Sequence, residues 1–282
     1  MALGLLLFGL TGCTPFQTPD VESLLKQPRM SADGLALDVF FVRFPLGDPA
    51  LNGSAWEEID EQRLSANCRR HLLANGFRAG VLAGQMPAEL AELLGTAEGQ
   101  SLPGEMCELK AADLVQKPAV VRGHFQLRAG KRREIAVGQQ RDELPVLLRD
   151  AAGSVSGKSY LQAQPLLAVR AYLLADGRVR LEIVPEISHG KYSQRWAVDT
   201  QGAFRLNPGR ESRVFEDMKF GAVLSPGHML VMSTVPSRQG SLGHHFFSEI
   251  SESSTDQILL LVRLSQTQHD GEFEREIDLA VE

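Results

Sequence analysis

A chain of 282 residues is long enough for one large domain or two ordinary ones. Hydrophobic residues make up 43% of it and charged residues 23%, which is typical of a folded globular protein. The formal net charge of −6, with no basic stretch longer than residues 131–133, argues against a general nucleic-acid-binding surface.

The N-terminal segment combines an apolar run at residues 2–10 with the sequence Leu-Thr-Gly-Cys at residues 10–13. The run is too short to span a bilayer, which takes about 20 residues, but it matches the apolar region of a secretory signal peptide, about 7–15 residues long. The four residues that follow resemble the lipobox of bacterial lipoproteins. The alternative is an ordinary apolar N-terminal segment with a chance cysteine.

The lipobox resemblance implies that residues 1–12 are a signal peptide, that Cys13 is lipidated, and that residues 13–34 form a lipidated tether. Two acyl chains on one cysteine suffice for stable anchoring. In such lipoproteins an Asp after the cysteine favours retention in the inner membrane, and this chain has Thr14 there. The resemblance therefore implies a protein of the cell envelope, anchored in the outer membrane and facing the periplasm.

Residues 35–117 are predicted to form a small α/β domain. A β-branched and aromatic run at residues 35–44 predicts a strand, and Ser54 with Glu57 forms a capping-box pattern for a helix that would run to about Ala74. Asn75 and Gly76 are its predicted stop. A second strand is expected at residues 77–83, then a short helix that Pro87 opens and that ends near Leu94.

Residues 118–282 are predicted to form a mainly antiparallel β domain, so that the whole chain falls in the α+β class. Asp176 and Gly177 separate two apolar runs, which is a strong signal for a hairpin. Strands are expected at residues 120–128, 133–137, 144–149, 166–174, 213–215, 228–232 and 258–264.

Two cysteines remain when Cys13 is acylated. Outside the cytoplasm Cys68 and Cys107 could form one disulfide, although sequence alone does not bring their Cα atoms within bonding reach. The alternative is two small, buried apolar side chains.

The motifs that could carry chemistry are weak. Residues 152–159 satisfy a loose phosphate-loop pattern that contains Lys158, but Pro165 would interrupt the helix that this loop requires, so we expect a β–β loop. His244 and His245 are adjacent, and neighbouring side chains of a strand point to opposite faces, so we expect a surface turn rather than a metal site. The sequence thus indicates no catalytic residue, no metal and no cofactor.

The C-terminal half resembles the C-terminal domain of secretins, the ring-forming outer-membrane gate proteins of type II and type III secretion. The resemblance covers about residues 166–264 and rests on the shared order of its elements. These are an apolar strand with Pro-Glu at residues 185–186, an apolar strand at 224–232, Val-Pro at 235–236, Leu-Gly-x-x-Phe at 242–246 and a closing strand at 257–264.

These features together predict a non-enzymatic, lipid-anchored envelope protein, a secretin-related structural or assembly component. It would act by self-association or by partnering a larger envelope or secretion complex, with the membrane contacted through its lipid and no nucleic acid bound. The alternative is a monomeric ligand-binding or sensing lipoprotein, which a concave apolar pocket at the junction of the two predicted domains would support. An enzyme is a third hypothesis, with the loop at Lys158 as its only candidate.

Overall fold

Apolar and alternating segments form the strands of the computed structural model, which describes residues 34–98, 120–198, 204–250 and 254–267. The strands predicted at residues 35–44, 77–83 and 120–128 are present, with bounds that differ by one residue or less. Named strands pair antiparallel, and short helices pack beside them, which confirms the α+β, mainly antiparallel class. Cys13 and Cys107 lie outside the described residues.

Six of the described strands form a first sheet in the order β2-β10-β12-β1-β3, with β11 paired to β12. Numbered in chain order, they are β1 (Gly34–Pro45), β2 (Phe77–Leu82), β3 (Val120–Arg128), β10 (Met229–Thr234), β11 (Ser248–Ile250) and β12 (Thr255–Thr267). Residues 34–44 of β1 are all buried, because the strand is flanked on both edges and covered on both faces.

The other six described strands form a second sheet in the order β4-β6-β7-β8, with β5 paired to β6 and β9 paired to β7. They are β4 (Arg132–Ala136), β5 (Arg141–Arg149), β6 (Val155–Leu173), β7 (Val179–Val198), β8 (Phe204–Val214) and β9 (Phe220–Leu224). The predicted hairpin joins β6 to β7, and Gly177 has a φ of 79°, which glycine adopts without strain.

The helices differ from the prediction at the first helix, and the helix after Pro87 runs to Glu98, past its predicted end near Leu94. They are α1 (Pro49–Asn52), α2 (Ala66–Ala74), α3 (Ala88–Glu98) and α4 (Leu242–Phe247), with 3₁₀ turns at Ser54–Trp56, Glu61–Arg63 and Glu216–Met218. Among the described residues, no helix has the length and apolar character that crossing a membrane requires.

The prediction that a capping box at Ser54 begins a long helix is wrong. The backbone at Asp60 is extended and pairs with Val81 of β2, so a helix cannot continue through it. The cap of α2 is Ser65 instead, whose hydroxyl accepts from the backbone N–H of Cys68 at 3.4 Å. The predicted stop is confirmed, since Asn75 is the C-cap and Gly76 has a φ of 81°.

Two apolar clusters hold the layers together. The larger joins one face of the first sheet to the second sheet and includes Leu37, Phe41, Leu260, Leu167, Ile183 and Phe246. The smaller covers the opposite face of the first sheet with the short helices and includes Phe40, Val42, Leu261, Trp56, Ile59 and Leu90.

The two predicted domains share the first sheet. Strands β1 and β2 come from residues 35–117, but they pair with β3, β10 and β12, which follow residue 118. The described residues, 34–98, 120–198, 204–250 and 254–267, all belong to one compact unit by their contacts. The α/β order along the chain therefore does not build a separate sheet, because β1 is apolar on both faces and finds its neighbours far along the sequence.

Candidate functional site

Strand β6 changes partners along its length and thereby builds a two-stranded ribbon. Residues 155–163 of β6 pair with β5, and residues 164–173 pair with β7. The change occurs beside Gln162, which has a φ of 47°, an unusual value for a residue other than glycine. We call residues 141–149 and 155–163 the ribbon.

One face of the ribbon is packed into the larger core, and the other is exposed. Leu144, Val146, Tyr160 and Ala163 occupy the inner face and are buried. The outer face carries a run of exposed apolar side chains in successive cross-strand rows. These are Val155 at 54% exposure, Leu147 at 49%, Leu161 at 64% and the exposed Pro145, and we call them the ribbon stripe.

The ribbon stripe has opposite charges at its two ends. Arg149 lies opposite Val155 in the first row, and Glu143 lies opposite Leu161 in the last. The Arg149 Nη1 atom donates to the Gly153 carbonyl at 3.0 Å, which holds the guanidinium beside this end of the stripe. The face is thus apolar in the middle, cationic at one end and anionic at the other.

A cavity of about 280 Å³ lies where the loop between β4 and β5 meets β1, β11 and β12 of the first sheet. We call it the junction cavity. Its lining is Arg43, Val137, Gly138, Gln139, Gln140, Arg141, Ser248, Glu249, Ile250 and Ile258. It is half polar rather than the apolar pocket that the ligand-binding alternative anticipated.

Charged side chains of the junction cavity are contributed by both sheets. Glu249 Oε1 accepts from Gln139 Nε2 at 2.9 Å, and Glu249 Oε2 lies 3.3 Å from Arg43 Nε. Arg141 Nη2 donates to the Ser248 carbonyl at 2.9 Å. Burial lowers the pKa of Arg141, and the charge of Glu249 acts in the opposite direction.

His245 borders the same network. Its Nδ1 atom lies 3.2 Å from Arg141 Nη1, and because a guanidinium only donates, Nδ1 accepts and the imidazole is neutral. Burial lowers the pKa of His245 to about 4, and the charges of Arg141 and His244 act in the same direction.

The predicted surface turn at the two histidines is wrong. His244 and His245 lie in α4 and are 6% and 7% exposed, because Ser241 caps this short helix and Phe246 and Phe247 anchor it in the core. The His244 ring instead contacts Ser248, with Nδ1 3.1 Å from the hydroxyl. In the described part of the chain, no three His, Cys, Asp or Glu residues are grouped so that they could hold a metal ion.

Asp38 lines a second, more open groove of about 530 Å³, whose other lining residues come mainly from the neighbouring strands β3 and β12. Its carboxylate accepts from Arg263 at 2.7 Å, lies 2.9 Å from His124 Nδ1, and is hydrogen-bonded by Ser265. Burial alone would raise the pKa of Asp38. The hydrogen bonds, together with the charge of Arg122, outweigh burial and hold this pKa well below its usual range.

The phosphate-loop pattern forms a β–β connection, as predicted. Lys158 and Ser159 lie inside β6, paired with Val146 and Pro145, so no helix N-terminus follows the loop. The Lys158 ammonium lies 5.0 Å from the centre of the Tyr160 ring. The geometry that would cradle a phosphate is therefore missing from residues 152–159.

Cys68 lies half-buried on α2, with its Sγ atom 4.0 Å from the Lys219 carbonyl. Burial raises the pKa of this thiol. Its proposed partner, Cys107, lies outside the described residues, as does Cys13, so the disulfide and the lipidation stay predictions.

Sequence reasoning missed Asp38, Arg43, Arg141 and Glu249. For the first two a signal was present, because each is a charged residue inside the apolar run at residues 35–44, where an unpaired charge would be costly. No comparable signal marks Arg141 or Glu249, since the junction cavity brings together residues that are about 100 or more positions apart in the chain.

Comparisons with known proteins do not assign the chain to a family. No protein-family model matches the chain, and no curated protein matches it. Among solved structures, the chain is similar to the type II secretin GspD from enteropathogenic Escherichia coli, at 11% identity over 87% of this chain and 71% of that chain, with a TM-score of 0.21. This TM-score does not establish a shared fold, so a secretin-related role is a proposal.

Proposed function

We propose that this chain is a non-enzymatic assembly component of the cell envelope, anchored through a lipid on Cys13 and related to secretins, and that it acts by self-association. The observation that carries the proposal is the ribbon stripe. Exposed apolar side chains that adjoin one another are typical of protein interaction surfaces, whereas singly scattered ones are not.

A second copy of the chain is the partner that the ribbon stripe fits best, because its two ends carry opposite charges. A two-fold axis that lies in the interface and runs perpendicular to the strands places the first row of one copy over the last row of the other. Arg149 then faces Glu143 of the second copy, and Val155 faces its Leu161. Such an interface is self-complementary, as two-fold symmetry requires.

The stripe contributes apolar burial, and the charges at its ends set the register. Burial of apolar surface contributes about 25 cal/mol per Å², whereas an exposed ion pair contributes only about 0–1 kcal/mol. We therefore expect apolar substitutions to weaken association strongly, and charge substitutions to act mainly on orientation.

The lack of a helix after the loop at Lys158 argues against the one enzyme hypothesis that the sequence offered. Phosphate binding at such a loop depends on the N–H groups and dipole of a helix N-terminus. Residues 155–163 are instead committed to backbone pairing with β5.

The test is the mass of the detergent-extracted full-length chain, measured by light scattering over a range of concentrations. We expect a dimer, and Leu147→Asp should weaken dimerisation at least about tenfold, since it places a charge in a middle row of an apolar interface. The matched control is Val223→Asp, an exposed valine of β9 outside the stripe, which should leave the dimer intact.

Charge reversal sharpens the same experiment. Arg149→Glu and Glu143→Arg should each weaken the dimer by less than the apolar substitution does, and the double variant should restore it. A chain that is monomeric at every concentration, that co-purifies a different protein in place of a second copy, or that dimerises equally well with Leu147→Asp would overturn the proposal. In the same extracts, Cys13→Ser is expected to move the chain from the membrane fraction to the soluble fraction.

A further inference from the structure

Arg141 is a half-buried cation with no carboxylate in contact among the described residues. Its hydrogen-bond partners are the Ser248 carbonyl at 2.9 Å and His245 Nδ1 at 3.2 Å, and both are uncharged. Cations withdrawn from water are normally paired with an anion or a hydrogen-bonded carboxylate. Among the described residues, the guanidinium of Arg141 is therefore a half-buried charge that no carboxylate contacts.

The carboxylate of Glu249 does not fill this role. Gln139 and Arg43 hold it on their side of the junction cavity, through the 2.9 Å hydrogen bond and the 3.3 Å ion pair. The lining thus contains two arginines and one glutamate, and every other lining residue is uncharged. The balance of charge in the junction cavity is positive.

Arg141 also has donors to spare. A guanidinium carries five N–H groups in a planar fork, and the contacts to Ser248 and His245 use two of them. Because Arg141 lines the cavity, the remaining N–H groups are available to a molecule inside it. A planar fork of this kind matches the two oxygens of a carboxylate.

The rest of the lining sets the size and character of a ligand. A volume of about 280 Å³ lies near the lower end for small-molecule pockets, which hold about 300–1,000 Å³. Val137, Ile250 and Ile258 supply apolar surface on the remaining walls. A small molecule with an anionic head and a short apolar tail would satisfy both parts of the lining.

We propose that the junction cavity binds a short-chain carboxylate, with its carboxylate group on the Arg141 guanidinium and its alkyl chain against the isoleucine and valine side chains. This goes beyond self-association and does not depend on it, because the ribbon stripe and the junction cavity share no residue.

The test is calorimetric titration of the full-length chain with sodium butyrate, sodium acetate and sodium phosphate at constant ionic strength. We expect saturable binding in the millimolar range, with butyrate tighter than acetate because its longer chain buries more apolar surface. Arg141→Gln should weaken butyrate binding at least about tenfold, as expected when a charge-assisted hydrogen bond is lost. Arg141→Lys keeps the charge but not the planar fork, so its affinity for butyrate should lie between those of the unmodified chain and Arg141→Gln.

Arg128→Gln is the matched control, since it removes an exposed arginine of β3 outside the cavity and should leave binding unchanged. Because Arg141→Gln could disturb the loop it anchors, Ile258→Ala provides a second variant. It should reduce the preference for butyrate over acetate while Arg141 stays in place. Equal butyrate binding by Arg141→Gln and the unmodified chain, binding of phosphate without either carboxylate, or no saturable binding of any of the three anions would overturn the proposal.

Discussion

At the scale of single residues, the strongest constraints come from charges placed inside apolar strands. Asp38 is 2% exposed, yet Arg263, His124 and Ser265 surround its carboxylate, so the desolvation cost is offset by charge-assisted hydrogen bonds. The sequence displays the charge within its apolar run. It does not display the partners, because His124 is 86 residues away and Arg263 is 225 residues away.

His245 makes stability depend on pH in a defined window. The unfolded chain binds a proton at the ordinary pKa of 6.5, whereas the folded protein binds it only near pH 4, because the imidazole is buried beside Arg141. Between these values the unfolded state holds more protons, so stability falls as the pH is lowered from 6.5 towards 4. The loss from this residue should reach about 3 kcal/mol.

Denaturant unfolding measured at steps from pH 7 to pH 4.5 would check this expectation. His245→Gln keeps a neutral side chain that can accept from Arg141, and it should reduce the slope of the free energy of unfolding against pH. Part of the slope should remain, because burial also lowers the pKa of His244. An unchanged slope in the variant would contradict the assignment.

At the scale of elements, periodic apolar patterns predicted the strands well and local capping signals misplaced the helix. Residues 35–44 and 120–128 could be predicted because a continuous or alternating apolar pattern is a local property. The first half of β6 could not, because residues 155–163 are largely polar and are held as a strand by pairing with β5. The stripe was missed for that reason.

The cap of α2 offers a direct comparison of two serines. Ser65→Ala removes the hydroxyl that accepts from the Cys68 N–H and should cost about 1 kcal/mol of unfolding free energy. Ser54→Ala should cost less, since this exposed hydroxyl has a single hydrogen to donate, to the Ala50 carbonyl or to Glu89, and accepts from no backbone N–H of a helix. Equilibrium unfolding in urea would compare the free energies of unfolding of the two variants. An equal or larger loss for Ser54→Ala would contradict the assignment of Ser65 as the cap and favour the capping box at Ser54.

At the scale of the whole molecule, the first sheet is assembled from both ends of the described chain. Its order places β10 and β12 between β2 and β1, so these two N-terminal strands are not paired with each other. Chain order alone suggested a local α/β domain because sequential elements are adjacent in most folds. Here the apolar character of both faces of β1 outweighs that tendency.

Dividing the chain at residues 117 and 118 should therefore destroy folding. A fragment of residues 118–282 leaves β3 and β12 without β1 between them and exposes the strand edges that pair with β1. We expect this fragment to lack a cooperative unfolding transition by circular dichroism, and the full-length chain to unfold in a single transition. Co-expression with residues 34–117 should recover folded protein. A fragment that unfolds cooperatively near the midpoint of the full chain would contradict the single-unit description.

The position of β1 also has a consequence for biosynthesis. Leu35 lies opposite Thr267, so β1 leaves the ribosome long before its partner strand β12 exists. At about 5–20 residues per second, this interval is on the order of 10 s. During it the apolar segment at residues 35–44 can pair with β3 along one edge but has no partner along the other, and incompletely covered apolar segments are the ones that aggregate or recruit chaperones. The first sheet thus stays incomplete until β12 has been synthesised.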